Sequence, residues 1–338
     1  MSPDVVIRGF GPAGAAAAIC LARAGCRVAV AHRAGAGRKP GETLAPSAMA
    51  ALDSIGVTGE FLAECPKVDS AGVASCWGSP HAEFQDYMTR PGGRGWHVDR
   101  DAFDSLLRRK ARAAGVEAWT AEAPRAPFTI DATGRGWRRR DGEPPGIEVD
   151  RMVAVVRYWR RTGPLAHALI EAHRDGWSYS APVPDGGLVT AFHCDPELPR
   201  SRPDSGALWN DLLRDLPETE ALMADALPQD EWRWVSARSM RRATFAGEGW
   251  AAAGDAAASW DPLSGAGIDR AIRSGVRAAR AALGYLGGAP DHVYRYQEEC
   301  AAGFDRYLAR RLEYYRLENR WPDSPFWSQR RNPCPRNS

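Results

Sequence analysis

The sequence predicts an α/β protein: a Rossmann-type dinucleotide-binding domain, interrupted by an inserted, largely antiparallel β-sheet substrate domain and finished by a C-terminal helix. Three observations predict it. Val5 to Ala18 (VVIRGFGPAGAAAA) runs from an apolar strand through Gly9, Gly11 and Gly14 into a small-residue helix, which is the G-x-G-x-x-G fingerprint in its required context. Gly249 to Ile268 gives a second apolar strand that ends in Gly-Asp and leads through a Gly/Pro loop into a helix. Between them, strand candidates in 68–98 and 151–239 suggest a separate sheet.

The elements follow in order. Val5 to Ile7 is the first strand, Ala13 to Ala24 a helix closed by Gly25, and Arg27 to Ala31 the second strand. In the fingerprint the first glycine permits the turn, the second lets backbone approach a pyrophosphate, and the third lets helix pack on strand. The helix start adds free N–H groups and a positive dipole end. An acid usually follows the second strand to hold a ribose hydroxyl, but His32 and Arg33 stand there. Arg38 to Leu44 is a loop and Ala45 to Ile55 a helix. Val68 to Trp77, Glu83 to Met88 and Gly95 to Val98 read as strands. Asp99 to Ala114 is a helix capped by Asp99, with Phe103, Leu106, Leu107 and Ala111 on one face. Arg100, in its first turn, opposes the helix dipole and so suits an anionic partner. Phe128 to Asp131 is a buried strand ending in a polar turn. Met152 to Trp159, Trp177 to Pro182, Leu188 to His193 and Trp232 to Ala237 are further strands, with helices at Leu208 to Leu216 and Glu218 to Ala226. A helix runs from Ile268 to about Leu286, and Val293 to Asn319 is amphipathic and tyrosine-rich. The expected division is 1–67, 99–150 and 240–288 for the dinucleotide domain, 68–98 and 151–239 for the inserted sheet, 289–331 for a helical C-terminal region, and 332–338 for a mobile tail.

Composition narrows the function. The chain has 338 residues, 44 Lys+Arg against 42 Asp+Glu, and a net charge of +2, which argues against a nucleic-acid partner. No apolar run is long enough to span a membrane, and no basic leader precedes the first strand. Seven cysteines without a C-x-x-C suggest reduced thiols in a cytoplasm and no metal site. The 13 tryptophans are unusually many and several recur beside glycine, as expected if a few line a pocket for an aromatic substrate.

GFGPAG at Gly9, DATGR at Asp131 and GDAAASWDPLSGAGI from Gly254 resemble, in order and spacing, three motifs of the flavin-dependent aromatic hydroxylases and halogenases. Lys39-Pro40-Gly41-Glu42-Thr43 is similar to the G-E-[ST] loop of the halogenase-like branch, and Gly95 to Arg100 with Phe103-Asp104 to its v-d-R-x-x-F-D element. Tyr314-Tyr315, Glu318, Arg320-Trp321 and Ser324 to Trp327 resemble the C-terminus of a narrower subgroup. That subgroup holds the flavoproteins that modify a partner's tryptophan in quinone cofactor biogenesis: the maturation monooxygenase of quinohaemoprotein amine dehydrogenase, and the partner flavoproteins of lysine ε-oxidase-like and glycine oxidase-like quinoproteins.

The resemblance implies a glutathione-reductase-like FAD-binding fold and an FAD-dependent monooxygenase. It would hydroxylate an indole in a partner polypeptide through a flavin C4a-hydroperoxide, with O2 as cosubstrate and reduction by NAD(P)H directly or by a separate flavin reductase. It implies that Gly9, Gly11, Pro12, Ala13 and Gly14 face the pyrophosphate, and that Arg33, Lys39, Thr43 and Arg100 help hold FAD. Asp131 and Gly134 would pack near the cofactor, and Gly254 and Asp255 would bind its ribityl or pyrophosphate region. Pro262, Gly265, Ala266, Gly267 and Ile268 would border the isoalloxazine. Glu42 and Asp261 are the candidate catalytic polar groups, and Trp77, Trp177 and Tyr179 the substrate-lining residues. Halogenases of this branch use a lysine, and Lys67 falls in roughly that zone. They also seat halide with a hydroxyl that Gly265-Ala266-Gly267 lacks. Hydroxylation therefore ranks above halogenation or small-aromatic hydroxylation, and above a flavin-fold binding module without turnover or a saturating reductase.

Overall fold

A computed structural model describes residues 2–33, 40, 43–89, 92–120, 124–137, 139, 142–161, 163 and 165–332, and the backbone of 336–337. Lys39 and Glu42, the candidate cofactor and catalytic residues of the loop, lie outside them, as does Cys334.

The Val5–Arg8 strand sits inside a six-stranded sheet of order Ala246–Gly247, Trp250–Ala252, Phe128–Asp131, Val5–Arg8, Val28–Ala31, Glu117–Trp119. All neighbours are parallel except the Ala246–Gly247/Trp250–Ala252 hairpin, and Val5 lies opposite both Val28 and Phe128. Val5, Ile7 and Ile130 are fully buried, and that is why these strands read as unbroken apolar runs. The helix Pro12–Arg23 is buried continuously from Ala13 to Ile19. Its alanines permit backbone-to-backbone packing with the helix Gly267–Leu286. A Cβ on Gly275 would lie 2.2 Å from the Ala13 carbonyl oxygen. The helix Arg100–Ala113 completes the layer, its Asp99 carboxylate accepting from Ala102 N at 2.8 Å as the N-cap.

The second sheet has the path Leu227–Pro228, Val153–Arg160, Gly187–Cys194, Gly176–Pro182, His167–His173, Gly72–Cys76, Glu83–Asp86, with Arg233–Ser236 also pairing Val153–Arg160. It is antiparallel except where His167–His173 meets Gly72–Cys76. On one face lie Ser205–Leu213 and Pro217–Met223, with Trp209 of the first helix packed into one cluster with Trp159, Leu188 and Phe192 of the sheet. The other face packs in part against the C-terminal segment. There Tyr315 of the helix Asp291–Leu317, and Phe326 and Trp327 of the helix Pro325–Arg331, join its core.

Four readings need correction. The single strand expected over Val68 to Trp77 is two, Lys67–Ser70 and Gly72–Cys76, in different sheets. At Ala71 the backbone changes partners, donating to Ala166 and accepting from Tyr87. Gly95–Val98 is not part of the large sheet: it pairs with Lys67–Ser70 and with Thr43–Leu44 in a three-stranded sheet. The strand His167–His173 was missed, because HALIEAH carries one β-branched residue. Its pairing on both sides overrides that composition. Its buried Glu171 is satisfied by Thr219 N at 2.8 Å, Thr219 Oγ1 at 2.7 Å and Glu218 N at 3.2 Å, at the start of Pro217–Met223. In the tail, expected to be mobile, Arg336–Asn337 pairs with Ile147–Glu148.

Candidate active site

A cleft of about 2400 Å³ lies at the carboxyl ends of the parallel strands and reaches the second sheet. Its floor is the glycine turn, where the three glycines do different work. Gly9 has φ of +101°, and a Cβ there would fall 2.2 Å from the Ala132 carbonyl oxygen. A Cβ on Gly14 would fall 2.1 Å from the Gly9 carbonyl oxygen, so Gly14 packs inward and is not on the cleft wall. At Gly11 a Cβ would meet nothing within 4 Å among the described residues. Gly11 also starts the helix with no side-chain cap, leaving the first-turn N–H groups for a ligand. Pro12 and Ala13 line the cleft beside it.

The later motifs converge on the same space. Gly134, Gly265 and Gly267 line the cleft, and each would carry a Cβ into open space. Gly254, Asp255, Pro262 and Ile268 line it too, with Arg33, Thr43 and Arg100. Ala266 is not on the wall; it precedes the helix Gly267–Leu286 as its N-cap. Four backbone approaches without side chains, beside an uncapped helix start, fit a dinucleotide with its pyrophosphate on the turn.

Asp131 departs from the expectation. It does not line the cleft. Its carboxylate accepts from Thr133 N and Oγ1 at 3.1 and 2.6 Å and pairs with Arg242. The buried Arg242 also donates to the Ala256 carbonyl at 2.8 Å and pairs with Glu143, so Asp131 ties together the turns that carry Gly134 and Asp255. Asp255 itself faces the cleft and pairs with Arg135 at 3.1 Å.

Asp261, expected as a catalytic group, is 2% exposed and its carboxylate is occupied. Oδ2 accepts from Arg311 Nε at 3.0 Å and Tyr315 Oη at 2.8 Å, and Oδ1 from Leu263 N at 3.0 Å. Arg311 also pairs with Asp150 at 2.5 Å. These carboxylates hold its guanidinium above its usual range, against burial, which acts the other way. Burial, with Asp261 adding to it, pushes the Tyr315 phenol well up. This arrangement makes Asp261 the anchor of the Pro262–Gly265 turn.

The second sheet supplies the opposite wall. Cross-strand register sets Trp177, His193, Ala154 and Val235 in one row, and Tyr179, Ala191 and Val156 in the next. All seven line the cleft. Trp177 and His193 stack at 3.7 Å and 9°. Burial pushes the His193 imidazole down to about 3. Tyr179 Oη is 2.5 Å from Thr43 Oγ1, which lies 3.0 Å from Nδ1 of His97. His97 is fully buried, and burial, reinforced by His167, lowers its pKa to about 4. Trp77, expected on this wall, is behind it. Its Nε1 donates to the Tyr314 carbonyl at 2.8 Å, and its ring meets Trp177, Tyr315 and Trp327 edge-on.

Sequence reasoning missed His193, Arg135 and Arg270 on the cleft. Alternation from Val189 and Ala191 places His193 on their face. Arg135 was inside the DATGR motif; it donates to the carbonyls of Arg238 and Trp260 at 2.8 and 3.2 Å. Arg270, one turn into its helix, lies over Trp260 at 4.1 Å and donates to Ser264 Oγ at 2.8 Å.

No protein-family model matches the chain. It is 27% identical to the putative FAD-dependent oxidoreductase LodB of Marinomonas mediterranea over 97% of both chains. Among solved structures, the flavin-dependent halogenase CmlS superposes with a TM-score of 0.87 at 24% identity, over 98% of this chain and 68% of that one. The peptidyl tryptophan dihydroxylase QhpG, essential for tryptophylquinone cofactor biogenesis, superposes with a TM-score of 0.76 at 23% identity, over 98% and 79%. Its relatives and structural neighbours are FAD-dependent oxidoreductases and halogenases, which are enzymes, and the chain is similar to them in sequence and fold.

Proposed function

We propose that the chain is an FAD-dependent monooxygenase that hydroxylates the indole of a tryptophan held in a partner polypeptide, as a step in tryptophylquinone cofactor biogenesis in the cytoplasm. One observation carries the reading. The cleft face of the second sheet is uncharged: Ala154, Val156, Ala191 and Val235 around the Trp177–His193 stack and Tyr179. The imidazole is kept neutral by burial. A free amino acid would bring an ammonium and a carboxylate to a wall with no partner for either. A tryptophan inside a polypeptide brings neither. The similarity to the fold of a peptidyl tryptophan dihydroxylase supports the same choice.

Gly9, Gly11, Pro12 and Ala13 would hold the FAD pyrophosphate, with Arg33, Thr43 and Arg100 beside it and Gly134, Gly254 and Asp255 along its length. Pro262, Gly265, Gly267 and Ile268 would border the flavin ring. When bound, FAD supplies the redox chemistry with O2 that the side chains lack; its reductant is NAD(P)H or a separate flavin reductase. The chain's own work is positioning. The aromatic wall orients the ring and excludes water, and Asp261, through Arg311 and Tyr315, fixes the turn facing it. An indole is electron-rich enough to need little help from a base.

The halogenase alternative needs a lysine in the pocket. Among the described lysines, Lys67 donates instead to the carbonyls of Leu62 and Cys65 at 2.6 and 3.3 Å, and neither it nor Lys110 lines the cleft; Lys39 lies outside the described residues. The test is co-expression with candidate partners encoded beside this gene, followed by mass spectrometry. A gain of one or two oxygens on a partner tryptophan is expected. A halogenated product, or efficient turnover of a small free aromatic with no partner modified, would overturn the reading. A protein that takes up no FAD would remove its basis.

A further inference from the structure

Among the described residues the second sheet has three open strand edges, and they are not alike. Glu83–Asp86, at one end of the path, begins and ends with an acid. Leu227–Pro228, at the other end, carries a proline. Charges and prolines are the usual guards of an open edge, because they discourage another chain from pairing there. Arg233–Ser236 contains no proline, and its one charged side chain is engaged: Arg233 pairs with Asp230 at 3.2 Å and lies over the Tyr158 ring at 5.3 Å. This is also the edge that meets the cleft. Val235, Ser236 and the following Ala237 line it, and no residue of the other two edges does. Trp234 is 40% exposed, and Ser236 is exposed as well.

The pairing fixes which backbone groups are open. Val153–Arg160 runs antiparallel to this strand, with Ala154 opposite Val235, and Ala237 N donates to the Met152 carbonyl at 2.9 Å. In such a pair the backbone groups turn toward the partner at every second residue. Those of Val235 and Ala237 therefore point to Val153–Arg160. Those of Trp234 and Ser236 point outward, where no further strand follows among the described residues. Side chains alternate with the same period. Val235 and Ala237 present theirs to the cleft, and Trp234 lies on the other face, its Nε1 donating to Ser205 Oγ at 3.2 Å.

We propose that the partner polypeptide enters along this edge: an extended segment adds to Arg233–Ser236 as a further strand, hydrogen-bonded to the outward backbone groups of Trp234 and Ser236. Added so, every second side chain of the segment lies on the cleft face, and those between lie beside Trp234. The reactive tryptophan takes a cleft-facing position, and β-branched residues on either side of it suit the exposed indole of Trp234. The inference rests on the polypeptide reading above and adds how the polypeptide is held, by its main chain along the rim.

The probe is a capped pentapeptide of sequence Thr-Val-Trp-Val-Thr, compared with the same peptide N-methylated at its three central residues. Both are titrated calorimetrically into FAD-loaded wild type and into Ser236→Pro, which removes one outward N–H; proline is tolerated on an edge strand at such a position. The wild type is expected to favour the unmethylated peptide by about tenfold or more, the size of one or two main-chain hydrogen bonds, and the variant to lose most of that preference. In the wild type, hydrogen exchange at the amides of Trp234 and Ser236 should slow when the unmethylated peptide binds. Equal affinity for the two peptides, binding of neither, unchanged exchange at both amides, or an unchanged preference in a folded variant would overturn the proposal. If the variant does not fold, the exchange measurement decides. Partner oxygenation with unchanged exchange would sink this inference alone. Slowed exchange with no partner oxygenated would sink the oxygenation reading alone.

Discussion

At Gly11 a side chain would project into open cleft, whereas at Gly9 and Gly14 it would strike backbone. Three glycines of one motif therefore separate by substitution. Gly11→Val should fold, because its Cβ meets no atom of the described residues, and should lose FAD affinity by an order of magnitude or more, because backbone must touch the pyrophosphate there. Gly14→Ala should instead destabilise the fold by about 1–3 kcal/mol through overpacking against the Gly9 carbonyl. Denaturant titration and FAD fluorescence titration of the two variants check this. A Gly11→Val protein with normal FAD affinity would refute the placement of the dinucleotide on this turn. The residue scale is also where the sequence was least legible. Asp131 ends a strand and Asp261 opens a Gly/Pro turn, both polar positions that suggest a ligand contact. Their carboxylates are taken by Arg242 and Arg311, whose arrival from distant parts of the chain no local pattern announces. Trp77 likewise is aromatic and just past the Gly72–Cys76 strand, but faces the C-terminal helices.

Elements explain why the dinucleotide half was readable and the other half only in outline. Strand, turn and helix from Val5 to Arg23 are encoded in contiguous residues, and so are the Asp99 cap and the apolar face of Arg100–Ala113. The second sheet is assembled from long-range pairs, so His167–His173 looks helical alone and Gly95–Val98 gives no sign of which sheet it joins. The cleft wall required that register: His193 becomes visible only when Gly176–Pro182 is laid against Gly187–Cys194. The helix Asp291–Leu317 has a role its amphipathic pattern did not disclose. Arg311 lies between Asp150 and Asp261, joining the helix to the Pro262–Gly265 turn. Arg311→Met should cost about 3–5 kcal/mol, because two buried carboxylates lose their counter-ion, and it should weaken FAD as the turn loosens. Urea denaturation and FAD titration measure both. Unchanged stability would show that the pairs are not formed in solution.

At the scale of the molecule, near-neutral net charge sets no strong field, and the response to pH falls to buried histidines. His97 lies behind the cleft and His193 on its wall. Burial depresses them to about 4 and about 3, and His173 and His167 shift the same way for the same reason. A depressed histidine binds fewer protons folded than unfolded, so stability rises with pH between the folded value and the unfolded value near 6.5. The contribution is complete above that value and is lost as pH falls below it. By pH 5 His97 and His193 should each have cost on the order of 2 kcal/mol relative to pH 7.5. Carboxylates act in a lower window. Glu60 and Glu318, depressed by their partners Lys110 and Arg320, lose stabilising charge only below the usual carboxylate range, and Asp269, raised by burial, opposes them there. The interval from pH 7 to 5 therefore isolates the histidines. Denaturant unfolding at closely spaced pH values should show stability falling through that interval, and His193→Phe should remove roughly half of the slope that His97 and His193 supply together. A profile flat from pH 7 to 5 would mean that these imidazoles are hydrated in solution, and the neutral wall on which the choice of a polypeptide substrate rests would go with it.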